Sequence, residues 1–124
     1  MRLAANPSRP PAVKEIVLVK ELLLTFGNEP DLRLFRNNSG VLTDVTGRPV
    51  KFGLATGSAD IVGILAPHGL FIAWEVKIHR PGSKESDEQL AWARMIREMG
   101  GVCDTVRSVE DARVSLTRAR ACPR

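Results

Sequence analysis

The stretch from Gly57 to Lys77, GSADIVGILAPHGLFIAWEVK, restricts this chain more than any other. Its apolar runs, Ile61 to Leu65 and Leu70 to Val76, flank Ala66-Pro67-His68-Gly69, residues that favour a tight reversal, so the pattern predicts a β-hairpin. Both runs are apolar on both faces, as expected of a central, covered pair of strands. A turn centred between Pro67 and His68 sets Asp60 directly across from Glu75, and opposed residues have Cβ atoms about 5 Å apart. Strand alternation then sends Lys77 out on the same side as Glu75. For either acid alone, a solvated strand end is the simpler account. Together they are harder to dismiss, because like charges directly opposite each other destabilise a sheet. A divalent cation would remove the conflict, and Mg²⁺ or Mn²⁺ takes such hard oxygen donors.

The rest of the chain frames this hairpin. At 124 residues it has the length of one domain, and 44% hydrophobic content is enough for a modest core. Eighteen Lys and Arg against fourteen Asp and Glu leave a formal charge of +4, which favours an anionic partner. No apolar run reaches the roughly 20 residues of a membrane span, and MRLAANPSRPPAV lacks the apolar core of a signal peptide. The expectation is an intracellular, cytoplasmic protein with no membrane partner and no small-molecule cofactor. Cys103 and Cys122 lack metal-ligand spacing and make no disulfide framework.

Residues 1–11, with three prolines and no periodicity, are expected to form a flexible arm, and the domain to run from 12 to 124. A first helix is predicted from Ala12 to Phe26, with Lys14, Glu21 and Thr25 on its solvated side and Ile16, Val19, Leu22, Leu23 and Phe26 facing inward. Glu15 falls on the apolar side. It is either a desolvated functional acid or a first-turn acid in the favourable field of the helix dipole. Leu32 to Asn38 alternates as a strand, and Arg36, Asn37 and Asn38 form either a phosphate-binding rim or a polar strand end. The turn Thr46-Gly47-Arg48-Pro49 predicts a small hairpin whose second arm ends at Lys51 and Phe52. After Lys77 comes a charge-rich loop, either merely solvated or placed for Arg80 and Lys84 to touch a nucleic-acid backbone, with His79 read as a surface residue.

Ser86-Asp87-Glu88-Gln89 has the form of a capping box, which by itself accounts for Gln89. Gln89 also shares a helical stripe with Trp92, Ala93, Ile96 and Met99, at the inward end of the face expected to be buried. Gly100-Gly101 ends that helix; a short strand from Val102 to Val106 follows, and a last helix begins after Ser108. The succession predicts an α/β domain with a mixed central sheet flanked by helices.

Asp60, fourteen intervening residues and Glu75-Val76-Lys77 resemble the core of the PD-(D/E)XK nuclease superfamily. The blocks RLFRNNSG, FGLATGSADIVGI, EVK, SDEQ and MGGV are similar to its VRR-NUC branch, over about Glu15 to Asp111. Ala59 stands where the superfamily's name has Pro, whereas Gly57-Ser58-Ala59-Asp60 is similar to the GxxD form of this branch. The resemblance implies a single restriction-endonuclease-like domain that hydrolyses DNA phosphodiesters with Mg²⁺ or Mn²⁺. It implies Asp60, Glu75, the Val76 carbonyl and Glu15 around the metal, Lys77 preparing the water, and Gln89 orienting water or the lysine. Arg36, Asn38, Lys51, Arg80 and Lys84 are the expected nucleic-acid contacts. It also implies a homodimer acting on branched DNA such as a Holliday junction. A non-catalytic nucleic-acid-binding module on the same fold is the alternative, although an acidic cluster that repels phosphate would have no use there. A hydrolase of small phosphoesters would be expected to carry a Gly-rich phosphate loop.

Overall fold

The computed structural model describes residues 10–78 and 82–122. Most of the expected flexible arm therefore lies outside the described residues, and its last two prolines already belong to helix α1, Pro10–Phe26. Proline suits a first helical turn, where its fixed φ is already helical and no N–H is needed. The helix stops at Gly27, where a Cβ would collide with the Leu23 carbonyl.

Strand β1 (Leu32–Arg36) is followed by a separate hairpin, β2 (Gly40–Thr43) and β3 (Pro49–Phe52). Then come β4 (Ile61–Leu65), β5 (Leu70–Val76), helix α2 (Asp87–Glu98), β6 (Val102–Val106) and helix α3 (Val109–Arg120). The central sheet has the order β1-β4-β5-β6, with β6 parallel to β5 and the remaining pairs antiparallel. The expected mixed α/β architecture is thus observed. The crossover through α2 is what a parallel neighbour demands, since a tight turn can join only antiparallel strands.

Alternation along β5 divides the core into two layers. Leu70, Ile72, Trp74 and Val76 join Leu18, Val19, Leu22 and Phe26 of α1 and Leu116 of α3 on one face. On the other, Ala73 joins Trp92 of α2 and Cys103 of β6, with Phe71 packed against them. Trp74 is fully buried; its ring meets Phe26 edge-on at 5.7 Å, and its indole N–H donates to Ser115 Oγ at 2.9 Å. Ser115 in turn donates to Asp104, so the buried indole and hydroxyl are both satisfied. Each such large side chain contributes about 2–3 kcal/mol by leaving water.

Two rotational details differ from expectation. In α1, Leu18 is buried and Ile16 is 41% exposed, so the inward stripe runs through Leu18, Val19, Leu22 and Phe26. In α2, Met99 is 80% exposed; it is the C-cap, where the chain leaves the helical path and carries the side chain off the buried stripe. No helix among the described residues is long and apolar enough to cross a membrane.

Candidate active site

The hairpin register is the predicted one: Ile61 faces Trp74, and Leu65 faces Leu70 beside the turn. Continued one step past β4, it sets Asp60 against Glu75. Asp60 ends the pairing with its side chain, accepting the Val76 N–H on Oδ2 at 2.8 Å. Glu75 is only 8% exposed. Its pKa is pushed up to about 9, first by burial and then by the charge of Asp60, which also stands close enough to hydrogen-bond to its protonated form. The ammonium of Lys77 pulls the other way, with Nζ 3.9 Å from Glu75 Oε2. A carboxyl desolvated beside another carboxylate resists ionising unless a cation joins it.

Gln89 caps α2, as expected, and its side chain also reaches Glu75. Its Oε1 accepts the Ser86 N–H at 2.8 Å, while Ser86 Oγ accepts the Gln89 N–H, completing the capping box. Its Nε2 donates to Glu75 Oε2 at 2.8 Å. The same box that starts α2 therefore fixes an amide against the buried acid.

Glu15 lies on α1 across the end of the sheet. It is half-buried, raises the Glu75 pKa further through its charge, and lines with Asp60 a cleft of about 230 Å³ whose other walls include Arg36, Asn37 and Asn38. Among the described residues no group of three or more His, Cys, Asp or Glu side chains is gathered as a metal centre. Asp60 and Glu75 are the two carboxylates that meet, and the charge of Glu15 bears on Glu75. As a donor set they fit a hard divalent cation, since two crowded carboxylate groups supply oxygen ligands whose repulsion it would relieve. Val76, whose carbonyl is the expected ligand, donates its N–H to Asp60 Oδ2.

Arg36, Asn38, Lys51 and Lys84 are all exposed. Arg36 and Asn38 border the Asp60 cleft, whereas Lys51 stands on the β2–β3 hairpin. Arg80 lies outside the described residues. Asn37, grouped with the rim by sequence, is instead turned inward: its amide nitrogen donates to Ser58 Oγ and to the Ala59 carbonyl, each at 2.8 Å. Glu85, which sequence did not single out, accepts a hydrogen bond from Thr105 on β6 and interacts electrostatically with Lys77. A charged residue in the polar stretch after Lys77 was its only sequence signal.

No family model matches the chain, and no curated protein matches it. The functional reading therefore rests on these residues, their geometry and the motif likeness they carry.

Proposed function

We propose that this protein is a metal-dependent deoxyribonuclease of the PD-(D/E)XK type, with a restriction-endonuclease-like fold of the VRR-NUC branch. The observation that carries the reading is the juxtaposition of Asp60 with a buried Glu75, beside Lys77 and held by Gln89, at the open end of the central hairpin. A fold that needed only stability would not desolvate one carboxylate beside another.

Asp60 and Glu75 are the residues that would hold Mg²⁺ or Mn²⁺, with the Val76 carbonyl and Glu15 as further oxygen donors. Bound there, the cation would stabilise charge on the scissile phosphate and acidify a water. Lys77 lies against Glu75 and orients the attacking water or relays its proton. Gln89 keeps the Glu75 carboxylate from rotating away. As the water oxygen bonds to phosphorus, the phosphorus–oxygen bond to the leaving strand breaks, giving a phosphate monoester and a free hydroxyl. Arg36, Asn38, Lys51, Arg80 and Lys84 bind the DNA backbone, and a homodimer presents two such sites to branched DNA such as a four-way junction.

Incubation with plasmid, linear duplex and four-way junction DNA in Mg²⁺, Mn²⁺ or EDTA tests the reading. Cleavage in either metal, none in EDTA, and binding that weakens steeply with salt are expected. Absence of cleavage on every substrate would sink it, and a monomer that cuts duplex as readily as junctions would remove the branched-DNA part.

A further inference from the structure

We propose that Asn37 is a positioning residue for Asp60, clasping the loop of residues 54–60 so that the Asp60 carboxylate is presented to Glu75. The inference rests on the reading of Asp60 as a functional acid and adds the element that aims it. Asn37 follows directly on β1, and its backbone N–H continues the ladder by donating to the Asp60 carbonyl at 2.8 Å. Its side-chain amide then donates to the two preceding residues, to Ser58 Oγ and to the Ala59 carbonyl. Three consecutive residues ending at Asp60 are thus held by one asparagine. From the other side the Val76 N–H fixes the Asp60 carboxylate, so its main chain and side chain are anchored on different strands.

The loop has little freedom elsewhere. Ser58 and Ala59 are buried at 9% and 1% exposure. Gly57 has φ +84, and a Cβ there would strike the backbone of Glu88 and Gln89. The loop is therefore wedged between Asn37 and the first turn of α2, whose Gln89 holds Glu75. Both hydrogens of the Asn37 amide are spent on the loop, which leaves phosphate binding to Arg36 and Asn38. A shorter or apolar side chain at 37 would leave the buried Ala59 carbonyl without this donor while keeping the backbone bond to Asp60.

The test compares wild type with Asn37→Ala by Mn²⁺ titration calorimetry, thermal unfolding in EDTA, and cleavage kinetics. Groups that orient metal ligands typically govern 10- to 100-fold in affinity, so Asn37→Ala is expected to weaken Mn²⁺ binding roughly 10-fold or more. It should lower kcat by a similar factor with KM for DNA unchanged, whereas a purely structural role would lower the melting temperature and leave Mn²⁺ affinity and kcat of the folded fraction intact. If wild type binds Mn²⁺ and cleaves DNA but Asn37→Ala matches it in both, the clasp is disproved and the nuclease reading survives. If wild type does neither, the nuclease reading fails and the clasp falls with it. Should Asn37→Ala not fold, Ser58→Ala decides: a fall in Mn²⁺ affinity supports the clasp, and unchanged affinity overturns it.

Discussion

At the turn end of the β4–β5 hairpin, Asp31 and Glu29 meet the guanidinium of Arg120, which binds both Asp31 oxygens at 2.7 and 2.9 Å and Glu29 at 2.7 Å. At the open end, Asp60 and Glu75 meet each other, and the ammonium of Lys77 comes no nearer to Glu75 than 3.9 Å. Both ends bring two acids together, but only one neutralises them. The Arg120 hydrogen bonds hold the Asp31 carboxyl below its ordinary range, whereas burial and Asp60 drive Glu75 far above its own. The first cluster closes the chain by tying α3 to the segment before β1. The second is left short of positive charge in a site from which water is largely removed. A single sheet thus separates an ion pair that serves cohesion from a pair of acids without a matching counter-charge, the one the proposed metal would supply.

The sharpest way to break this contrast is by activity. Asp60→Asn, Glu75→Gln and Lys77→Ala are each expected to lower DNA cleavage by about 10²-fold or more, while Asp31→Asn and Arg120→Ala leave it unchanged. Lys77→Ala should still bind Mn²⁺ in calorimetry, because an ammonium is no ligand, whereas the two carboxylate variants should lose that binding. Cleavage retained in Asp60→Asn would erase the distinction between the two ends.

Next in size is stability against pH in the metal-free protein. Glu75 has a folded pKa of about 9 against an ordinary 4.5, so the folded state holds a proton that the unfolded chain releases in between. Its contribution is fully present below about 4.5 and is lost as pH rises through about 9, so denaturant midpoints in EDTA should fall across that window. Glu75→Gln should flatten the decline, and Mn²⁺ should raise the midpoint of wild type alone. A flat profile in wild type would show that the pair is not strained.

A smaller effect separates the two acids of α1. Glu15→Gln is expected to reduce cleavage and Glu21→Gln to leave it intact, since Glu15 faces the cleft and Glu21 faces water. The opposite ranking would remove α1 from the site. Smallest is the Arg120 cluster, whose groups are 37–39% exposed. Screened surface pairs contribute at most about 1 kcal/mol each, so Arg120→Ala should lower stability only modestly. Because the Asp31 pKa is lowered, that loss should appear above its ordinary value of 3.8 and vanish as pH falls through the folded one. Urea melts at neutral and acid pH would measure it.

The site's centre was readable because it depends on short-range rules. Turn chemistry at residues 66–69 fixed the register of β4 on β5, and register alone brought Asp60 to Glu75. The capping pattern located the start of α2 and so Gln89. Rotation and side-chain direction were less legible. In α1, residues 16–19 are Ile, Val, Leu and Val, so hydrophobicity hardly distinguishes Ile16 from Leu18, and packing on β5 and α3 decides between them. Asn37 was ambiguous for another reason: an asparagine before a turn reads as turn chemistry, and nothing local announces that its amide closes on residues 21 and 22 positions away.

The β2–β3 hairpin stands outside this economy of contacts. Its strands pair with each other, all but Gly40 are exposed, and Val45 at its tip is wholly so. The main core contains none of its side chains. Descendants of this sequence could therefore lengthen, trim or recode the projection without disturbing the layers beneath it, although it is rooted beside the Asp60 cleft. Mutational drift there would be nearly silent for folding but heard by any macromolecule approaching the cleft. Diversification of such proteins should accordingly concentrate in residues 40–52 while the paired acids stay fixed.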